Sequence, residues 1–238
     1  LALVEPVAAR ALDANWQLLR RVTVFRDLGE EGLRDLAVRM RVRECPRDSV
    51  IVSQEEPGDA LFIVARGKVK AVLYGESGRE VILYTFKQGD FFGEMALLDQ
   101  ESRSANVVAV EDTTLFTLDR DTFGRHLAAH PKTALAILAE MSRRLRHADG
   151  VIGNLALLDS YGRVARLLRD MAKEEGVDVE DGVLIRERPT QSEMAAMLGT
   201  SRETVSRALN DFARRGLLSM HGRRILIRRA FLVEPGTP

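Results

Sequence analysis

An apolar stripe from Pro131 to Leu158 constrains this chain more than any other feature. Ala134, Met141, Ala148 and Leu155 recur every seven residues, and Leu138, Leu145 and Ile152 form a second series between them. Spacing that alternates four and three without a slip is the a/d seam of a two-stranded coiled coil. Pro131 suits a first helical position, where the missing N–H costs nothing. Lys132, Glu140, Arg143, Arg144, Arg146 and His147 fill the intervening positions. A helix packed on its own domain would show a similar period. The narrowness of the stripe, and alanines that let backbones approach, favour a second copy of the chain. Residues 131–159 are therefore read as a dimerisation helix and hinge, between a domain over 1–130 and another over 160–238.

Composition bounds the rest. At 238 residues the chain can hold two modest domains with real cores. The formal charge is zero, so no global field marks a polyanionic partner. A single cysteine, Cys45, excludes a disulfide scaffold and a cysteine-rich metal cluster, and no metal is expected. No apolar run approaches the roughly 20 residues that span a bilayer. Leu1 to Ala11 is apolar but lacks a basic lead-in, so it is not read as a signal peptide. A cytoplasmic protein without a membrane partner is expected.

Two short helical patterns, Trp16 to Val24 and Glu30 to Met40, precede a change of period to two. Val50 to Val52, Ala60 to Ala65, Val69 to Leu73, Val81 to Phe86 and Thr113 to Leu118 read as strands rich in β-branched and aromatic residues. Glu56-Pro57-Gly58-Asp59, Arg66-Gly67, Gly75 to Gly78 and Gln88-Gly89-Asp90 punctuate them. Short strands at near-regular spacing predict an antiparallel β-roll. The fold class is α+β.

One segment, Phe92 to Ala105, refuses the strand pattern. Gly93 permits close backbone approach, and Glu94 to Leu98 is good sequence for one helical turn whose free amides favour an anion. Arg103, the one cation of the segment, offers a planar fork for phosphate oxygens, and Ser104 adds a hydroxyl. A carboxylate beside a phosphate makes sense only if Glu94 faces a donor such as a ribose hydroxyl. The competing reading pairs Glu94 with Arg103 across the loop.

The ordered string Phe-Gly-Glu-x-Ala-Leu-Leu followed by Arg-Ser-Ala resembles the phosphate-binding cassette of cyclic-nucleotide-binding domains. The resemblance implies that Glu94 takes the ribose 2′-hydroxyl, that Arg103 and Ser104 take the cyclic phosphate, and that backbone around Gly93, Met95 and Ala96 lines the site. It implies a cyclic nucleotide effector, cyclic AMP or cyclic GMP. Gly153 to Asp159 resembles the hinge of the catabolite-activator (CRP/FNR) regulators, in which the long helix pairs beside both pockets. Arg144 lies where that family has an arginine near the pocket Glu, which implies a brace on Glu94. Cyclic-AMP-responsive members carry Thr-Ser where this chain has Ala148 and Asp149, and Ala148 has no hydroxyl to offer a base. Gly150 and Gly153 each cost about 1 kcal/mol relative to Ala in a helix interior. Residues 148–153 are therefore expected to be a soft stretch that bound ligand completes.

The C-terminal third carries a second motif. Ser160 to Lys173 is a basic amphipathic helix, and Glu174 to Gly182 reads as an acidic loop. Thr190 with Glu193 makes a capping box; Gly199 ends that helix, and Ser201 with Thr204 starts the next. Two helices around a short glycine-containing turn make a helix-turn-helix. His221-Gly222-Arg223 reads as the tip of a basic wing. Between Leu184 and Ala230 ten arginines face four acids, a net +6 inside a neutral chain. The second helix resembles the recognition helix of the catabolite-activator group. Arg202, Glu203 and Arg207 match its base-reading residues; Ser201, Thr204, Thr190 and Ser192 match phosphate contacts, with Gly222 and Arg223 on the wing. The resemblance implies a homodimer on an inverted repeat in double-stranded DNA, and RNA polymerase as a partner at Glu174 to Gly182. The alternatives are a cyclic dinucleotide or no small ligand as effector, or a nucleotide-binding regulatory subunit acting on a protein. No histidine, nucleophile or metal set accompanies Glu94 and Asp99, so no enzyme is expected.

Overall fold

The computed structural model describes residues 16–76 and 78–233. Leu1 to Ala11 lies outside them. The chain divides into two compact units, residues 1–73 with 82–144 and residues 74–81 with 145–238.

In the first unit a helical turn over 16–19 leads to helix α1 (Glu30–Arg39), which buries Leu33, Leu36 and Ala37. Eight strands follow: β1 (Arg41–Cys45), β2 (Val50–Val52), β3 (Ala60–Arg66), β4 (Lys68–Tyr74), β5 (Glu80–Lys87), β6 (Phe91–Phe92), β7 (Asn106–Ala109) and β8 (Thr113–Asp119). They form two four-stranded sheets, ordered β1-β8-β3-β6 and β2-β7-β4-β5. β3 pairs antiparallel with both β8 and β6. Alternation along β3 divides the core. Phe62 and Val64 pack with Val69, Phe86, Phe92 and Leu115, while Leu61 and Ile63 pack with α1, Phe116, Leu118, Phe123 and Ile137. Three helices belong to the second half of the unit or leave from it: α2 (Glu94–Leu98), α3 (Arg120–Ala129) and α4 (Pro131–Leu157).

Helix α4 buries Thr133 and Ile137. The seam leucines and isoleucine are open: Leu138 is 58%, Leu145 63% and Ile152 64% exposed. The backbone is helical without a break through Gly150 and Gly153, where a softer stretch was expected.

The second unit continues with α5 (Ser160–Glu175), β9 (Val177–Val179), β10 (Gly182–Ile185), α6 (Gln191–Leu198), α7 (Arg202–Arg214), β11 (Leu218–His221), β12 (Arg224–Arg228) and α8 (Arg229–Val233). A sheet ordered β11-β12-β10-β9 backs the helices. Val164, Leu168, Met194, Val205, Leu209, Phe212, Ile225 and Ile227 are buried in one cluster. The expected acidic loop is instead the end of α5 and the β9–β10 hairpin, with Val183 opposite Asp178. Its alternating valines supply the strand, and its acids gather at the turn. The wing turn is shorter than expected. His221 pairs with Arg224 in the ladder, leaving only Gly222 and Arg223 at the tip.

Among the described residues no helix is long and apolar enough to cross a membrane. No group of three or more His, Cys, Asp and Glu residues among them could hold a metal ion. Cys45 is a buried free thiol, and burial pushes its pKa up.

Candidate ligand cradle and nucleic-acid interface

Two glycines bring backbone against the guanidinium of Arg103. Gly93 precedes α2 with φ 84°, in the left-handed region. A Cβ on Gly93 would stand 2.6 Å from Arg103 Nη1 and 3.0 Å from the Ala60 carbonyl oxygen. A Cβ on Gly58 would collide with Ala96 and lie 3.1 Å from Arg103 Cζ. Arg103 is only 5% exposed. Its Nη1 donates to the Gly93 carbonyl and its Nη2 to the Ala60 carbonyl, both at 2.9 Å. Those bonds use two of five guanidinium N–H groups. Burial lowers the Arg103 pKa; the Asp59 and Glu94 carboxylates oppose this, and the Arg120 charge adds to it.

Glu94 is 2% exposed and does not pair with Arg103. Its Oε1 accepts from Arg144 Nη1 at 2.8 Å, and its Oε2 is buried without a hydrogen-bond partner. Burial raises the Glu94 pKa, against the charge and hydrogen bond of Arg144. Arg144 is itself caged. Nη2 donates to the Phe91 carbonyl at 2.7 Å, and Nε donates to Glu140 Oε1 at 3.2 Å. The guanidinium lies over the rings of Phe91, Phe86 and Tyr84, with centroids 4.7, 5.1 and 5.4 Å from Cζ.

Ala96 is buried, whereas Met95 and Ser104 are exposed with Ser104 Oγ 3.9 Å from Met95 Sδ. Ala148 and Asp149 are exposed residues of α4 that belong to the second unit. Sequence reasoning missed the cage, whose rings come from two strands, β5 and β6, and missed that Arg103 is not the only cation here. Arg120 donates to the carbonyls of Gly58, Ala96 and Leu97. A signal for Arg120 was available. It is the first residue of α3, where the helix dipole disfavours a cation.

In the second unit the capping box is complete: the Thr190 hydroxyl accepts from Glu193 N, and Glu193 Oε2 accepts from Thr190 N. Gly199 closes α6 at φ 59°. The Ser201 hydroxyl then caps α7 by accepting from Thr204 N at 3.1 Å. Helix α7 buries Val205, Ala208, Leu209 and Phe212, which turns Arg202, Glu203 and Arg207 to the exposed face. Arg207 Nη2 donates to the Thr204 hydroxyl at 3.3 Å. The Glu203 pKa is lowered by its own backbone amide and by Ser201. Ser192, Gly222 and Arg223 are exposed. Arg188 ties the wing tip down through its amide, which donates to the Arg223 carbonyl at 2.9 Å. Leu155, the last seam residue, lies near the turn of the helix-turn-helix: its Cδ2 is 3.8 Å from where a Gly199 Cβ would stand.

A cradle of this construction in a β-roll, with a winged helix-turn-helix in the same chain, defines a ligand-binding transcription regulator. Residues 42–130 match the cyclic nucleotide-binding domain, and residues 162–230 match the Crp-like helix-turn-helix domain. The chain is 37% identical over 212 residues to the cyclic AMP receptor protein of Thermus thermophilus, covering 89% of this chain and 94% of the relative. It is 31% identical over 211 residues to the CRP-like cAMP-activated global transcriptional regulator of Mycobacterium tuberculosis, with the same coverage, 89% and 94%. The fold is shared with the c-di-GMP responsive global regulator CLP of Xanthomonas campestris, at a TM-score of 0.73 and 24% identity over 84% of this chain and 99% of that one. The chain belongs to the CRP family of transcription regulators.

Proposed function

We propose that this regulator is a homodimer whose affinity for an inverted-repeat DNA site is set by a cyclic nucleotide held between Glu94 and Ser104. The observation that carries the reading is Glu94 Oε2, a buried carboxylate oxygen with no donor. Leaving such a group unsatisfied costs about 1–3 kcal/mol, and a ribose hydroxyl supplies the missing donor. Arg103, with three N–H groups beyond those it gives to backbone, supplies charge for the phosphate. When bound, the nucleotide bridges these two side chains. The named cyclic AMP receptors among the relatives favour a cyclic mononucleotide over a dinucleotide.

The open apolar stripe of Leu138, Leu145 and Ile152 supports pairing of α4 with its twin. Arg202, Glu203 and Arg207 read base edges in the major groove, where Arg recognises guanine and Glu accepts from cytosine. Ser201, Thr204, Thr190, Ser192, Gly222 and Arg223 hold phosphates. The β9–β10 hairpin is the surface offered to RNA polymerase. Calorimetry with cyclic AMP, cyclic GMP and cyclic di-GMP tests the effector, and sedimentation of the parent and Leu145→Asp tests the dimer. A parent that binds none of the three, or a Leu145→Asp protein that still sediments as a dimer, overturns the corresponding part.

A further inference from the structure

We propose that Arg120 is the positioning residue of the cradle, the group that holds the walls of the Arg103 pocket together. The proposal deepens the nucleotide-binding reading and rests on it. Arg120 Nη2 donates to the carbonyl of Gly58 and, at 2.9 Å, to that of Ala96; Nη1 donates to the Leu97 carbonyl at 3.3 Å. Its own amide donates to the Asp59 carbonyl at 2.9 Å. One side chain thus joins two segments that meet nowhere in sequence. Gly58 backs the Arg103 guanidinium, where a Cβ would stand 3.1 Å from Cζ, and Ala96 is the residue that Cβ would strike. Loop 55–59 also encloses Arg103 through backbone: Arg103 N donates to the Glu56 carbonyl and Glu55 N to the Arg103 carbonyl, each at 2.9 Å.

The fork is needed because α2 cannot hold itself. A helix of five residues is well below the length that is stable alone in water, and the carbonyls of its last turn have no intrahelical partner. Arg120 satisfies two of them and adds a cation where the helix dipole is negative. Its planar fork places donors on two nitrogens, Nη1 toward Leu97 and Nη2 toward Gly58 and Ala96, whereas a lysine gathers its donors on one compact ammonium. Its bonds run to carbonyls and to neither Glu94 nor Arg103, so it acts through the backbone that carries them. A binding group must be held to within about 0.5 Å by the residues around it.

The test uses full-length parent, Arg120→Lys and Arg120→Ala proteins. Calorimetry with cyclic AMP and cyclic GMP is expected to show a Kd raised about 30-fold or more in Arg120→Ala and by a lesser factor in Arg120→Lys. Methylguanidinium is expected to restore part of the loss in Arg120→Ala. Amide hydrogen exchange without nucleotide is expected to accelerate at least 10-fold over residues 94–98, with the rest of the β-roll unchanged. A folded Arg120→Ala protein with parental Kd and parental exchange over 94–98 overturns the proposal. If Arg120→Ala does not fold, Arg120→Lys decides by the same two readouts. A parent that binds neither nucleotide overturns the effector reading instead, and the exchange measurement still decides the role of Arg120.

Discussion

Arg144 reaches from helix α4 into the β-roll and gives Glu94 Oε1 a donor at 2.8 Å, while Oε2 of the same carboxylate has none. Glu94 and helix α4 are therefore one electrostatic unit. The rings of Phe91, Phe86 and Tyr84 lie against the Arg144 guanidinium, and the Glu94 side chain it meets is 3% exposed.

Nucleotide affinity is expected to fall as pH drops through the raised pKa of Glu94, because the protonated acid gives up its charge toward Arg144. Stability runs the other way for this group. The folded protein takes the proton at a higher pH than the unfolded chain does, so the contribution favours folding in acid and is lost as pH rises through the folded value. Calorimetric titrations from pH 7 downward check the first statement. Glu94→Gln should abolish the pH dependence, and a pH-independent parental Kd would refute it.

Arg103→Ala is expected to lose nucleotide binding by at least ~100-fold and also to lose stability. The part-buried carbonyls of Gly93 and Ala60 would lose their guanidinium donor, at up to about 1–3 kcal/mol each where water does not replace it. The stability loss follows from the burial of Arg103, which is 5% exposed. Urea unfolding beside calorimetry separates the two effects.

His126 carries a pH dependence of opposite sign to Glu94. Burial and the neighbouring His130 push its pKa down to about 4, against the Asp35 carboxylate, which raises it. The unfolded chain takes this proton near 6.5 and the folded chain does not, so stability is present above 6.5 and is lost as pH falls toward 4. The loss amounts to up to about 3 kcal/mol. Denaturant unfolding at pH 7.5 and 4.5 should show it in the parent and not in His126→Leu.

Glu203→Ala is expected to relax discrimination at one base pair per half-site by about 1–3 kcal/mol. Arg223→Ala should instead weaken all sites alike and reduce the salt slope by about one. In vitro selection should return an inverted repeat with half-site centres roughly 34 Å apart. Direct repeats would contradict the dimer.

Gly150→Ala is expected to favour the helical form of α4 by about 1 kcal/mol per chain. Nothing lies within 4 Å of the added Cβ, so no clash offsets the gain. In the proposed dimer about 2 kcal/mol raises ligand-free DNA affinity up to about 30-fold, with little change in the ligand-bound state. Fluorescence anisotropy with and without effector measures both. Equal ligand-free affinities would remove Gly150 from the switch.

The cassette and the helix-turn-helix were legible because each is local: glycines, caps and charges between Phe92 and Ala105, and between Thr190 and Arg207, define them. Strands β2, β3, β4, β5 and β8 were legible from short segments rich in apolar β-branched and aromatic residues between turn signals. Strand β1 was not, because Arg41 to Glu44 are exposed and the strand exists through its ladder with β8. Helix α3 was hidden by charge, with Arg120, Asp121, Arg125 and His126 interrupting its apolar face. The cage of Arg144 and the grip of Arg120 depend on tertiary closure. In both cases the partners are backbone carbonyls or rings from separate strands, which leave no spacing to read.

The unbroken helix from Pro131 to Leu157 also governs how this regulator could be recombined. The boundary between its two units falls between Arg144 and Leu145, inside regular helix rather than in a linker. Each residue inserted or deleted there turns everything downstream by about 100°. A hybrid that grafts another DNA-binding module onto this sensor must therefore keep the count between Arg144 and Leu155, or change it by whole heptads. Otherwise Arg144 and the apolar seam fall out of phase.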